Sequence, residues 1–95
     1  MHVLAVRYDL HVRDRHSLKE KRAALRPLLD RLRNTGASVS EVDHHDLWQR
    51  AAIGVSIVGP DAGHVQELAD GIDRIVWSRP DIDVIDVDRR WLEWD

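Results

Sequence analysis

The fold is decided by residues 37–58, which read ASVSEVDHHDLWQRAAIGVSIV. Their composition and spacing predict one strand over residues 37–43 and a second over residues 50–58, where apolar side chains occupy every second position. The polar segment between these strands joins antiparallel neighbours, so the two strands are expected to form a hairpin. The residues before and after this hairpin carry apolar side chains at helical spacing, so we expect one helix on each side of it. The hairpin therefore lies in the middle of the predicted fold.

On the N-terminal side the sequence predicts a strand followed by a helix. Residues 3–12 alternate between apolar and polar side chains, as in a strand with one buried face. Ser17 and Glu20 form a Ser-x-x-Glu capping box, so the helix begins at Leu18. It ends near Gly36, which tolerates the left-handed conformation. Leucines at helical spacing give this helix an apolar face, and basic side chains line its flank: Lys19, Arg22, Arg26 and Arg33.

On the C-terminal side the sequence predicts a second helix and a last strand. Asp61 supplies an N-cap, and apolar residues then recur at helical spacing until the helix ends before Pro80. The last strand begins near Ile82. Its inside-outside alternation changes between Val84 and Ile85, which predicts a β-bulge or an edge position.

The resulting order is strand, helix, strand, strand, helix, strand. This is the order of the α+β ferredoxin-like sandwich, a four-stranded antiparallel sheet with both helices on one face. Since 95 residues close one core, we expect a single domain over residues 1–95. The second face is open to another sheet, a nucleic acid or a second copy, with a solvated face as the alternative. Its expected residues are Arg7, Asp9, His11, Ala52, Gly54 and Ser56.

The composition indicates a soluble globular protein, with 43% apolar and 33% charged residues. No apolar run approaches the roughly 20 residues required to span a bilayer, and the N-terminus lacks the pattern of a signal peptide. The absence of cysteine excludes disulfides, thiolate catalysis and Cys-based zinc sites. We therefore expect a cytoplasmic protein without membrane partners.

Charge is distributed unevenly along the chain. The net charge is −3, but residues 11–34 carry eight bases and three acids, net +5, which leaves −8 for the remainder. This separation permits a local anion-binding face on an acidic protein. The alternative is a solvated helix face beside an acidic sheet.

Residues 41–50, EVDHHDLWQR, form a segment that is longer and more polar than a hairpin requires. Asp43, His44, His45 and Asp46 combine groups that bind metals or act as general bases. However, adjacent histidines point apart in an extended backbone, and neither a second ligand pair nor an activated nucleophile accompanies them. Loop hydrogen bonding is favoured, so the sequence predicts no catalytic residue, metal site or cofactor.

Aromatic side chains raise a separate question of burial. Trp48 and Leu47 are expected to seal an edge of the core, the alternative being that Trp48 stacks on a base or anchors a partner. Near the C-terminus, Trp91, Leu92 and Trp94 are either a strand extension that covers the core or an exposed interface tail.

Two motifs, Ser17-Leu-Lys-Glu-Lys-Arg22 and Glu41-Val-Asp-His-His-Asp-Leu-Trp-Gln-Arg-Ala51, carry a family resemblance. The chain resembles the YlxP-like family of small bacterial proteins of unknown function over nearly its whole length. The resemblance implies a ferredoxin-like fold and supplies no activity. Genes of this family often lie near those for transcription elongation, translation initiation and ribosome-binding factors, which implies an association with ribosomes or RNA.

The leading hypothesis is a non-enzymatic cytoplasmic accessory factor of the ribosome or RNA machinery. The alternative is a homodimer, paired through the open sheet faces, that binds a small ligand or acts as an enzyme through a pocket near residues 41–50. The aromatic signatures of an RNA-recognition motif are missing, so RNA contact relies on basic side chains. The candidate binding residues are Lys19, Lys21, Arg22, Arg26, Asp43, His44, Asp46, Trp48, Gln49 and Arg50.

Overall fold

A computed structural model describes residues 1–94, and Asp95, the last residue of the predicted domain, lies outside the described residues. The strands form one antiparallel sheet in the order β2-β3-β1-β4. The predicted α+β ferredoxin-like fold is therefore confirmed. In chain order the elements are β1 (His2–Val12), α1 (Leu18–Arg33), β2 (Ser38–Asp43), β3 (Arg50–Gly59), α2 (Ala62–Trp77) and β4 (Ile82–Leu92).

Both helices begin at the predicted caps. The Ser17 hydroxyl accepts a hydrogen bond from the backbone N–H of Glu20 at 3.1 Å. At the start of α2, the Asp61 carboxylate accepts one from the backbone N–H of His64 at 2.8 Å. Each cap satisfies an amide that has no partner inside its helix. Neither helix, within residues 1–94, has the length and apolarity needed to cross a membrane.

The core lies between one face of the sheet and the two helices. Alternate β1 residues from Leu4 to Val12 are buried, as the sequence pattern predicts. The hydroxyl of Tyr8 donates to the Asp73 carboxylate of α2 at 2.7 Å, which joins the sheet to that helix. Burial, followed by this hydrogen bond, raises the pKa of Tyr8. The helices contribute apolar side chains to the same core: Leu25, Leu28 and Leu32 from α1, and Val65, Ala69, Ile72 and Val76 from α2.

β4 is an edge strand that contains the predicted bulge. Asp9 of β1 pairs with Asp86, whereas the next residue, Leu10, pairs with Val84. Ile85 is therefore the extra residue of β4, which confirms the change of alternation seen in the sequence.

The tryptophan-rich end of the chain extends β4 without covering the core. Leu4 of β1 pairs with Trp91, so the strand continues alongside β1 to Leu92. Trp91, Leu92 and Trp94 are nevertheless exposed. Of the two alternatives for this end, the strand extension is present, but its side chains are exposed and do not cover the core.

Three connections meet at the opposite end of the sheet, which we call the loop end. They are residues 13–17 between β1 and α1, residues 44–49 between β2 and β3, and residues 78–81 between α2 and β4. Backbone hydrogen bonds join them to the sheet and to one another: Val12 N to Gln49 O at 2.8 Å, and Arg13 N to Asp81 O at 3.0 Å. The candidate binding residues of the 41–50 segment lie at this end.

Candidate functional site

The 41–50 segment is folded around the side chain of Lys21, which is fully buried. Its ammonium donates to the backbone carbonyls of His44 at 2.8 Å, Arg50 at 3.2 Å and His45 at 3.3 Å. The Glu41 carboxylate lies 3.8 Å away. A lysine has three N–H donors, so the three carbonyls satisfy all of them. The amine therefore holds the segment in place from within.

Lys21 was predicted as an RNA-contacting residue, but its side chain is not accessible to a partner. At 100° per residue, Lys21 shares the helix face of Leu25 and Leu28, which are buried. Its charge is compensated by carbonyl dipoles and Glu41, and it reaches no solvent. Contact with a phosphate would require the segment to come apart.

The segment turns at His44, whose φ of 62° lies in the left-handed region. A residue with a side chain rarely adopts this region, so its neighbours must support it. The Asp43 carboxylate accepts the backbone N–H of His44 at 2.7 Å, and the His44 carbonyl accepts the N–H of Leu47 at 3.1 Å. The first of these bonds, followed by one from Arg7, lowers the pKa of Asp43.

A charged network on the open face adjoins this turn. The Arg7 guanidinium donates to both oxygens of Asp9, at 3.1 and 3.2 Å, and to Asp43 at 3.4 Å. The Nε2 atom of His44 lies 3.5 Å from the Asp9 carboxylate. The hydrogen bonds from Arg7 lower the pKa of Asp9, and the charges of His44 and Arg50 act in the same direction. The structure thus brings the predicted residues Asp43 and His44 together with Arg7 and Asp9, whereas the Arg50 side chain forms no ion pair in the described part of the chain.

The sequence placed Arg7 and Asp9 on the open face but did not count them among the candidate binding residues. Their spacing of two in an alternating strand shows that they share a face. Their approach to Asp43 depends on the register of β1 with β3, where Asp9 pairs with Ala52, which in turn pairs with Asp43. That register was not available from the sequence pattern.

Gln49 ties the segment to the β1–α1 connection. Its side-chain amide donates to the Arg15 carbonyl at 3.2 Å, and its side-chain oxygen lies 3.4 Å from Nε2 of His11. His11 and Arg13 also contact Asp83 of β4. These contacts, that of Arg13 first, lower the pKa of Asp83. The described contacts of Gln49 are structural links within the loop end.

The tip of the segment is exposed. Leu47 is 47% and Trp48 52% exposed, so the expectation that they seal an edge of the core is wrong. Asp46 is also exposed. The backbone on either side of Trp48 is held by Lys21 and by the contacts of Gln49, which turns the indole outward.

The exposed flank of α1 carries Lys19, Arg22 and Arg26, which we call the basic stripe. Their spacing of three and four residues places them on one side of the helix. Within residues 1–94 none of the three forms an ion pair. Beside the stripe lies a groove of about 250 Å³, lined by Arg22, Leu25, Arg26, Leu29, Arg33 and Glu41.

A second groove, of about 480 Å³, crosses the open face of the sheet. Its floor includes Ala5, Gly54 and Ser56, and Arg7 and Val42 contribute to its walls. A Cβ atom at Gly54 would lie 2.8 Å from Cγ1 of Val42, so the absence of a side chain allows Val42 to lie over the sheet. This groove adjoins the 41–50 segment.

The site therefore offers a partner two kinds of accessible group, the cations of the basic stripe and the exposed indole of Trp48. The basic stripe presents cations without carboxylate partners, whereas the cations around Asp9 and Asp43 are already paired. Within residues 1–94, no three His, Cys, Asp or Glu side chains converge in a way suited to a metal ion. Lys19, Arg22, Arg26 and Trp48 remain accessible to a partner.

Comparisons with known proteins find a family model and a relative that match this sequence. Residues 3–89 match the model of a family described as protein of unknown function, DUF503. The uncharacterized protein YlxP of Bacillus subtilis (strain 168) is 34% identical over 71 residues, which is 74% of this chain and 77% of that protein.

Two solved structures are similar in fold. The de novo designed protein Foldit4 has a TM-score of 0.61 at 13% identity, with both chains covered completely. LarC2, the C-terminal domain of a cyclometallase involved in the synthesis of the NPN cofactor of lactate racemase, has a TM-score of 0.53 at 15% identity. This match covers 97% of the present chain and 55% of LarC2. At such identities the likeness shows the fold alone.

Proposed function

The chain belongs to the DUF503 family, as its resemblance to YlxP-like proteins predicts, and we propose that it is a non-enzymatic cytoplasmic accessory factor of the ribosome or RNA machinery. Its contact surface is the basic stripe together with the exposed tip of the 41–50 segment. The family description supplies no activity, so the proposal depends on the chemistry of this surface.

The observation that carries the proposal is the unpaired state of the basic stripe. On a protein of net charge −3, Lys19, Arg22 and Arg26 are exposed with no carboxylate partner in the described part of the chain. Most other arginines are neutralised, as Arg7 is by Asp9 and Asp43. Free cations along one helix flank favour binding to phosphates, because phosphate contact releases the counterions condensed on RNA.

Sedimentation with ribosomal particles at low salt tests this proposal. We expect the wild type to pellet with the particles and the double variant Arg22→Gln/Arg26→Gln to stay largely in the supernatant. The matched control is Arg31→Gln/Arg74→Gln, which removes the same charge from exposed positions outside the stripe. Arg31 lies about 180° around α1 from Arg22. If the two double variants pellet with the particles to the same extent, whether both still bind or both fail to bind, a role of the stripe is contradicted.

A homodimer paired through the open sheet faces is the second candidate. Val58, Val3 and Leu92 form one cross-strand row on this face, and Val58 and Leu92 are 60% and 56% exposed. Pairing two such faces removes apolar surface from water. It also encloses the groove near residues 41–50, which then becomes a pocket for a small ligand or a reaction.

Light scattering decides this second candidate. A dimer at micromolar concentration should become monomeric on Leu92→Glu, whereas Trp77→Glu, at an exposed position on α2, should leave it dimeric. A wild-type monomer over this range removes the proposed pocket.

A further inference from the structure

We infer that Trp48 is a stacking platform for an unpaired base, so that the protein binds single-stranded RNA with the basic stripe on its phosphates. This rests on the proposed function and adds the class of RNA. Non-specific single-strand binding generally combines a cationic track with exposed aromatic side chains, and base stacking is sequence-tolerant. The basic stripe of α1 provides the cations, and Trp48 at the loop end provides the aromatic side chain.

Trp48 is presented on a fixed backbone. The carbonyls of His45 and Arg50, on either side of it, are both held by the ammonium of Lys21. Gln49 accepts a hydrogen bond from Val12 N through its carbonyl and donates one through its side chain to Arg15 O. An indole buried in the core would contribute a large apolar area to stability. Here the surrounding contacts keep it 52% exposed instead.

The same contacts link the backbone around Trp48 to α1, the helix that carries the basic stripe. Lys21 immediately precedes Arg22 in α1, and its ammonium touches the backbone three residues before Trp48 and two residues after it. The segment therefore rests against the first turns of α1, where Lys19 and Arg22 are exposed. We therefore expect a nucleic acid that follows the stripe toward the loop end to reach the indole.

The exposed indole selects for single strands. In a duplex the faces of the bases are stacked on one another, and A-form RNA presents mainly phosphates and 2′-hydroxyls to a protein. Only an unpaired base offers a face to the ring of Trp48. A duplex would meet the basic stripe and gain nothing from the tryptophan.

Fluorescence anisotropy with two labelled probes tests this assignment. The probes are a ten-nucleotide oligouridylate and a ten-base-pair blunt RNA duplex. We expect Trp48→Ala to weaken binding of the single strand by about tenfold, with little change for the duplex, and Trp48→Phe to retain most of the affinity. The matched control is Trp77→Ala, since Trp77 is 60% exposed on α2; it should change neither affinity.

A spectroscopic measurement separates stacking from a structural role. In the triple variant Trp77→Phe/Trp91→Phe/Trp94→Phe, Trp48 is the remaining tryptophan. Its fluorescence should be quenched by the oligouridylate and much less by the duplex, since quenching requires a base against the ring. Equal quenching by both probes would contradict stacking.

The outcomes distinguish this inference from the proposed function. Unchanged single-strand affinity in Trp48→Ala, or an equal loss in Trp77→Ala, overturns stacking on Trp48. If Arg22→Gln/Arg26→Gln weakens binding in the same experiment, the proposed function stands without it. Failure of the wild type to bind either probe at low salt overturns both.

Discussion

Replacing Lys21 by methionine should lower the free energy of unfolding by more than a substitution at an exposed position does. Methionine keeps most of the side chain's length and apolar volume but removes the ammonium that binds the carbonyls of His44, His45 and Arg50. It also removes the ammonium that lies 3.8 Å from the Glu41 carboxylate, whose side chain is 18% exposed. Removing one partner of a buried ion pair typically lowers the free energy of unfolding by about 3–5 kcal/mol.

We expect Lys21→Met to lie at the lower end of this range, near 3 kcal/mol, because the 41–50 segment is at the surface and its freed carbonyls can bind water. For a domain of this size, that loss lowers the thermal midpoint by about 12–24 °C. Urea unfolding followed by circular dichroism at 222 nm measures the free energy directly. Amide hydrogen exchange should also accelerate across residues 43–49.

The matched control is Lys19→Met, which makes the same substitution at an exposed position of α1. Its free energy of unfolding should stay within about 0.5 kcal/mol of the wild type. A loss below about 1 kcal/mol in Lys21→Met, or equal losses in both variants, would refute the role of Lys21 as the hub of the segment.

Two further predictions concern other contacts. Tyr8→Phe removes the hydroxyl that donates to Asp73, and the free energy of unfolding in urea should fall by about 1–2 kcal/mol; no loss would contradict a stabilising bond. Arginine contacts and, at Asp43, a backbone N–H lower the pKa values of Asp9, Asp43 and Asp83 in the folded state. The stabilisation from these carboxylates is therefore complete above about pH 4 and is lost as the pH falls through their folded pKa values. The thermal midpoint of the wild type should fall as the pH is lowered below about 4, and it should fall less in Asp83→Asn. The same dependence on pH in both proteins would contradict the contribution of Asp83.

The parts of the fold that the sequence predicted are those controlled by neighbouring residues. The Ser17–Glu20 cap fixes the start of α1, and the changed alternation at Ile85 marks an added residue in β4. Both signals act within a few positions of the chain, so they are readable without knowledge of the tertiary structure.

The errors at Lys21 and Trp48 have one physical cause. The spacing of Lys21 with Leu25 and Leu28 already indicated a buried position, but burying a lysine requires acceptors, and these are backbone carbonyls 23 to 29 residues away. Every residue has a backbone carbonyl, so the sequence does not show which carbonyls accept a hydrogen bond from Lys21. Because they fix the backbone of the 41–50 segment around the amine, the same contacts turn Trp48 outward, against the usual tendency of an indole to be buried.

The central claim is that the basic stripe binds RNA phosphates, and the salt dependence of binding tests it most directly. For a single strand, contacts from Lys19, Arg22 and Arg26 give a slope of log affinity against log salt of about −2, which Arg22→Gln/Arg26→Gln should reduce to about −0.7. The control Arg31→Gln/Arg74→Gln should keep the wild-type slope. The same slope in all three proteins would contradict the claim.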